Sequence, residues 1–496
     1  LRIGTKEEIQ VNGIMRLTME NIKQDILAFK TMAVIYLLGM LKSKNFKTSS
    51  MKKRDFLKTS LAAASTAFIP KSIMAMRKTG DKLRTAHIGV GGMGGADLKS
   101  IASHPDVTVV GLCDVDSNAI AKASASHPNA KTFKDYRKML KEMADEIDAV
   151  VVSTPDHTHA PASIMAMEMG KPVYCQKPLA HHVSEVRAMR KIAEEKNLVT
   201  QMGIQVHSFY DYKLATLLIQ SGIIGKVSRV RAWSPKNWGY DGPEPTGSDA
   251  IPDNLDWNLW LGTAEERPFK DKVYHPGNWR KLVDFGCGTL GDMGVHIFDT
   301  PYNALALDVP KTIKNSCRKP NGFGYPEINK VVYTFPGTEY TTENFEWVWH
   351  DGKGAPKPNK ELKLPNKEKL PLQGAMFIGE KGRLLLPHFM EPPRLIVDGK
   401  YQEIDIKKFD PEQKLGITVN DYERDAPKHY HQFVDACLGR DKVSAPFSYA
   451  SRLTETILLG VIAGRFPNKT LHWDSEKASF KEREANKFLS GVNRKF

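Results

Sequence analysis

Gly89-Val90-Gly91-Gly92-Met93-Gly94 has the spacing G-x-G-x-x-G, a pattern suited to a pyrophosphate. Gly89 allows a tight turn, Gly91 lets the backbone approach phosphate, and Gly94 lets a helix pack closely on a strand. The unpaired N–H groups and positive dipole end of the following helix then face the anion. Asp114 lies about twenty residues further on, where a ribose-binding carboxylate is expected. It would accept hydrogen bonds from both ribose hydroxyls and repel a 2′-phosphate. No Arg follows it directly (Val115, Asp116, Ser117), so the expected cofactor is NAD, with NADP less favoured. Asp292 and His296 form a second pair of chemical interest. Four residues apart, they project from one helical face into one site. The same spacing suits a metal pair, but no ligand cluster accompanies it. The five cysteines are widely spaced with no C-x-x-C, so no metal site is expected.

These groups need a frame, and the sequence supplies an alternating one. Thr85–Val90 reads as a short buried strand running into the glycine turn. Leu98, Ile101 and Ala102 follow at helical spacing, and Val107–Leu112 reads as the next strand. Tyr136–Met143 reads as a helix. Ala149–Ser153 is all but apolar, as a parallel sheet covered on both faces requires. Thr154-Pro155-Asp156-His157-Thr158-His159 stands at its carboxyl end, the edge where open α/β sheets bind ligands. Ile164–Met169 reads as helix and Pro172–Cys175 as strand, ending in Gln176-Lys177-Pro178. Ser184 is the expected cap of a helix carrying Val186, Met189, Ile192 and Ala193 on one face, and Val199–Met202 closes the parallel series.

The 496 residues are enough for two or three domains. The net charge of +14 is concentrated at one end. Residues 1–75 hold 13 Lys/Arg against 5 Asp/Glu, and the other 421 hold 58 against 52. With no basic block or aromatic-basic repeat in the body, nucleic-acid binding is not expected. Met51 opens an export-like leader: Lys52-Lys53-Arg54, then an Ala-rich apolar stretch Leu61–Ile69, then Ala75 for cleavage. Lys53-Arg54-Asp55-Phe56-Leu57-Lys58 is close to the twin-arginine pattern, with Lys at the first Arg. The expectation is a Tat-like signal over 51–76 and a periplasmic or otherwise exported protein, or a cytoplasmic one if the leader reading fails. Residues 1–50 are expected to be an upstream extension, disordered or outside a native start at Met51. Phe29–Leu41 carries Lys30 and is too short for a spanning helix of ~20 residues, so no stable membrane insertion is expected.

Together the motifs resemble the Gfo/Idh/MocA family of glucose–fructose oxidoreductase and inositol dehydrogenase, across most of residues 83–475. They are the glycine turn, T-P-x-x-x-H at Thr154, Pro155 and His159, E-K-P at Gln176-Lys177-Pro178 with Gln for Glu, and G-D-x-G-x-H at Gly291–His296. The resemblance implies an α/β fold in two parts. The first is a Rossmann doubly wound parallel sheet over 83–201. The second is a C-terminal α/β domain over 202–475, followed by a tail, 476–496. An open, mainly antiparallel sheet would carry helices on one face and leave the other free for substrate or a second subunit, making a homo-oligomer. Val227–Trp233, Lys330–Phe335, Tyr340–Trp349 and Leu395–Val397 read as its strands, Tyr430–Leu438 and Ser448–Ala463 as helices, and Lys353–Leu372 as a surface loop.

The resemblance also implies NAD-dependent oxidation of a sugar or polyol hydroxyl, with Lys177, Asp292 and His296 at the reacting centre. The cofactor would meet Gly89, Gly91, Gly92, Met93, Gly94, Asp114, Thr154, Pro155, Asp156, His159, Gln176 and Lys177. Arg280, His207 and Trp279 are the substrate candidates, and the tryptophans at 233, 238, 257, 260 and 279 could line a carbohydrate cleft or simply pack. Export would demand a tightly held NAD regenerated within each cycle. A glycoside hydrolase working by transient C3 oxidation and elimination meets that demand as well as an oxidoreductase does. A non-catalytic sugar- or NAD-binding protein is the third alternative.

Overall fold

The computed structural model describes residues 82–353, 356–357, 359–491 and 494–496. The expectations for residues 1–50 and 51–76 lie outside them. In the first part β1 (Leu83–Ile88), α1 (Met93–Ala102), β2 (Val107–Cys113), α2 (Ser117–Ser126), β3 (Lys131–Phe133), α3 (Tyr136–Glu142), β4 (Ala149–Val152), α4 (Asp156–Glu168), β5 (Val173–Cys175), α5 (Val183–Glu195) and β6 (Thr200–Met202) follow in turn. The sheet order is β3-β2-β1-β4-β5-β6, all parallel where paired. Chain reversal between β3 and β4 places the strand ends of β1 and β4 side by side, which is the crevice where such sheets take ligands. All four residues of β4 are buried, so the apolar run is explained by cover on both faces. Cys113 and Cys175 are small buried core residues.

Two local details differ from expectation. Helix α4 begins at Asp156, so His157 and His159 sit in its first turn rather than in a loop. The cap of α5 is His182, not Ser184. Glu185 reaches back to accept from the His182 and His181 amides, so the helix is capped two residues earlier than a Ser-first reading places it.

The second part continues with α6 (Tyr210–Gln220), β7 (Val227–Ser234), α7 (Trp257–Leu261), α8 (Val295–Ala304), β8 (Thr312–Ser316), β9 (Lys330–Thr334), β10 (Thr341–Asp351), β11 (Gly374–Gly379), β12 (Arg383–Pro387), β13 (Arg394–Val397), β14 (Lys400–Gln402), α9 (Pro427–Cys437), α10 (Phe447–Ala463), β15 (Thr470–Asp474) and β16 (Ser479–Phe480). Its sheet runs β14-β13-β12-β11-β7-β10-β9-β8-β15-β16, antiparallel except for the central β7–β10 pair. Helix α8 lies on one face, where Phe298 stacks on Trp347 at 4.2 Å.

The opposite face is not wholly free. Leu362 and Leu364, 1% and 4% exposed, pack on Trp233, Met376, Leu385 and Ile396. Glu361 pairs with Arg229 and Arg231 of β7. The Lys- and Pro-rich stretch expected as a surface loop therefore buries two of its four leucines, and the chain covers part of its own sheet. Composition hid this, because the apolar residues are few and the charged ones have partners.

The two parts are sewn together beside the crevice. Leu255 bridges Asp116, the Ser117 amide donates to the Asn254 carbonyl at 2.8 Å, and the Asp256 amide donates to the Val115 carbonyl at 2.9 Å. Asn254 Nδ2 also donates to Asp116 at 2.7 Å. Among the described residues, no helix is long and apolar enough to cross a membrane.

Candidate functional site

A cavity of about 740 Å³ runs from the glycine turn to the start of α8 and on to the β12–β13 turn. At one end is the cradle. Gly89 has φ of +81°, and a Cβ there would lie 2.8 Å from the Ser153 carbonyl. A Cβ on Gly94 would lie 2.1 Å from the Gly89 oxygen. Only glycine lets this turn fold against β4, and the fold leaves the amides at the start of α1 facing the cavity. Asp114 Oδ2 accepts from Val90 at 2.8 Å and Gly91 at 3.2 Å, and Oδ1 accepts from the Asp116 amide at 3.0 Å. Burial raises its pKa against the pull of those three amides. Lys122, Lys134 and Tyr136 line the cavity near it, together with His275 from the second part.

In the middle of the cavity, α4 and the loop after β5 meet. His159 clamps them: its two ring nitrogens sit 2.8 Å from the carbonyls of Pro178 and Thr154. Burial lowers its pKa to about 4, and in the neutral ring one nitrogen donates to its carbonyl while the other only abuts the second. Asp156 is 6% exposed at the start of α4. Burial pushes its carboxyl up to about 7, against the opposing charges of Arg280 and Lys177. Gln176 turns away from the cavity end, donating to both oxygens of buried Asp97 at 3.0 and 2.9 Å while its own oxygen accepts from the Lys177 amide at 3.2 Å. Ser153 and Tyr430 also donate to Asp97, at 2.6 and 2.7 Å. Burial still raises Asp97 to about 6. A second carboxylate at position 176 would face it, so the amide suits this chain.

At the far end, Lys177 Nζ donates to Asp292 Oδ1 at 2.9 Å and to its carbonyl at 3.0 Å. Trp238 Nε1 donates to Asp292 Oδ2 at 2.6 Å, and Arg280 Nε stands 3.5 Å from Oδ1. Burial opposes ionisation of Asp292, but Lys177 and Arg280 outweigh it and hold the carboxyl far below its usual range. The residue lies in a π-helical turn, Leu290–Gly294, that leads into α8, and π turns often mark functional positions. His296, one turn on, is held neutral by burial and by the Lys177 charge, with its Nδ1 buried and unpaired. The Arg280 guanidinium lies over the Trp279 and Trp238 rings, 4.3 and 5.6 Å from their centroids.

Lys177, Asp292, His296, Arg280 and Trp279 therefore converge with the glycine turn, Asp114, Thr154, Pro155, Asp156 and Gln176 on one cavity. His207 does not line it. Its Nδ1 sits 3.0 Å from both oxygens of buried Asp299, which also accepts from Tyr449. Trp233 lies in the sheet core, and Trp257 stacks on Trp260 at 4.8 Å, so much of the tryptophan cluster is packing. Trp238 is the member of the tryptophan cluster that reaches Asp292, whereas His275, His388, Phe389 and Tyr422 carried no sequence signal beyond their residue type. Among the described residues, no group of three or more His, Cys, Asp or Glu could hold a metal ion.

The chain matches known proteins at both parts. Residues 83–204 match the NAD-binding Rossmann fold of the Gfo/Idh/MocA oxidoreductase family, and residues 211–321 match that family's C-terminal alpha/beta domain. The chain therefore carries both domains of this family. An inositol 2-dehydrogenase of Rubrobacter xylanophilus is 29% identical over 32% of this chain and 45% of its own. A levoglucosan dehydrogenase of Pseudarthrobacter phenanthrenivorans is 26% identical over 38% and 40%. A glycosyl hydrolase family 109 protein of Stenotrophomonas maltophilia is 33% identical over 26% and 30%. The chain thus spans less than half the length of these curated relatives. A solved levoglucosan dehydrogenase in complex with NADH and L-sorbose shares the fold at TM-score 0.57 and 17% identity, covering 79% of this chain and 99% of its own.

Proposed function

We propose that the protein is an NAD-dependent oxidoreductase acting on a sugar or polyol hydroxyl. The observation that carries this reading is the Lys177–Asp292 ion pair at 2.9 Å, set beside neutral His296 in a cavity that begins at the dinucleotide turn. The residues fit the cofactor. Gly89 and Gly94 shape the cradle, and Thr154 Oγ1 is buried without a partner in the chain. Asp114 would hold the ribose, α1 the pyrophosphate, and Thr154, Asp156 and Lys177 the far end. A bound nicotinamide supplies the two-electron redox chemistry; the chain supplies binding and proton transfer. Neutral His296 can take the hydroxyl proton and, once protonated, return it in the reverse direction, while the Lys177 ammonium, gripped by Asp292, stabilises the oxygen as it becomes anionic. Lys177 and Arg280 together offset Asp292 and Asp156, so the centre carries little net charge and suits a neutral carbohydrate.

The relatives called glycosyl hydrolase family 109 proteins favour a second reading, redox-neutral glycoside cleavage at the same centre. One assay tests both. Purified protein, with its bound or added NAD, is incubated with glycosides while aglycone release and NADH absorbance are followed. NADH or oxidised sugar without release supports the oxidoreductase; release without NADH supports the hydrolase. Lys177→Ala should lower turnover by about 10²–10⁴, and full turnover in that variant refutes the assignment.

A further inference from the structure

The cavity continues past the reacting centre along a row of rings. His388 stands 6.2 Å from His296, Phe389 lies 5.3 Å from His388, and Tyr422 lies 5.6 Å from Phe389. All line the same cavity as Lys177 and Asp292. Phe389 and Tyr422 are each 36% exposed and Met93, also in the lining, is 38% exposed. Large apolar groups left open to solvent in a cavity mouth mark a contact surface. His388 is fixed from behind. The Tyr212 hydroxyl lies 2.6 Å from its Nδ1. Burial lowers His388 to about 4, so the ring is neutral. In the tautomer whose Nδ1 accepts from Tyr212, Nε2 carries the proton and is a single oriented donor.

We propose that His388, Phe389 and Tyr422 form an outer subsite for the second ring of a glycoside, whose first ring reacts at Lys177 and His296. This rests on the carbohydrate oxidoreductase reading above. The row advances in steps about one sugar ring wide. Its two outer members offer aromatic faces for C–H surfaces or an aryl ring, and His388 offers Nε2–H to a bridging or ring hydroxyl oxygen. A free monosaccharide or a cyclitol would leave this surface bare. The substrate class is therefore a glycoside with a ring aglycone, either a second sugar or an aryl group.

The test uses the full chain with NAD and matched probes: methyl glycosides, p-nitrophenyl glycosides and disaccharides of glucose, galactose, mannose and xylose. Wild type should prefer the ring-bearing member of a pair in kcat/KM. In Phe389→Ala/Tyr422→Ala that preference ratio should fall by about tenfold. Disaccharide against p-nitrophenyl arms distinguish a sugar from an aryl aglycone. An unchanged ratio, or a fall explained entirely by weaker NAD affinity, overturns the subsite. Saturation-transfer NMR gives a readout without turnover. Aglycone protons should be saturated in wild type and lose that signal in the double variant. If no carbohydrate turns over yet the aglycone signal behaves this way, the oxidoreductase reading falls and the subsite stands. If turnover occurs without an aglycone signal, the subsite falls alone.

Discussion

Replacing Asp156 by Asn should make the protein more stable, and increasingly so as pH rises. The side chain is 6% exposed, and burial lifts its pKa from 3.8 to about 7 in the folded chain. Between those values the folded state binds a proton that the unfolded state has released. Stability therefore falls as pH rises through this window, and the loss is complete above the folded pKa. A shift of about three units corresponds to at most about 4 kcal/mol. Asn keeps the shape and cannot ionise, so the penalty disappears. Asp97 and Asp351, raised to about 6 and about 7, ionise in both proteins and cancel in the difference. Urea midpoints of wild type and variant should coincide near the lower end of the window and diverge towards neutrality, the variant being higher. A difference that stays constant with pH would refute the reasoning. The turnover profile should respond too: wild type changes slope near pH 7 as a negative charge forms beside Arg280 and Lys177, and Asp156→Asn lacks that limb.

Asp114→Ser should weaken NAD and improve NADP, because the repelling carboxylate goes while Lys122 and Lys134 remain in the lining to meet a 2′-phosphate. The ratio of NAD to NADP dissociation constants measures it, and an unchanged ratio counts against Asp114 at the ribose. Gln176→Glu should cost about 1–3 kcal/mol by urea unfolding, since the amide donated to Asp97 becomes a second acceptor. Lowering the pH should relieve that cost by protonating one of the two carboxyls. A pH-independent cost would show that the Asp97 contact is not its source.

Much of this was legible because it is local. The glycine turn, the fully apolar β4 and Asp114 at the end of β2 are set by neighbours in sequence, so spacing alone located them. The pairing of Lys177 with Asp292 spans 115 residues; the residues themselves carried no sign of it, and only the family resemblance put the two at one centre. His207 and His296 looked alike as isolated histidines. What separates them is Asp299, which occupies the first and not the second. Phe389 and Tyr422 belong to no periodic pattern: a turn places the first and a single helical turn, Tyr422–Asp425, the second, and only tertiary packing sets the direction of either. Ser184 was misplaced as a cap because Glu185 closes its box on a histidine that offers no capping signature.

The seam at Asp116 and Leu255 also bears on thermodynamics. Asp114, Val115 and Asp116 from the first part and His275 from the second all line one stretch of cavity. A ligand lodged there touches both parts at once, so its binding energy and the cohesion between them are reciprocally linked. Closure of the seam strengthens the ligand by the same factor by which the ligand favours closure. Saturation with ligand should, in turn, slow hydrogen exchange at the Ser117 and Asp256 amides, whose bonds to Asn254 and Val115 close the joint.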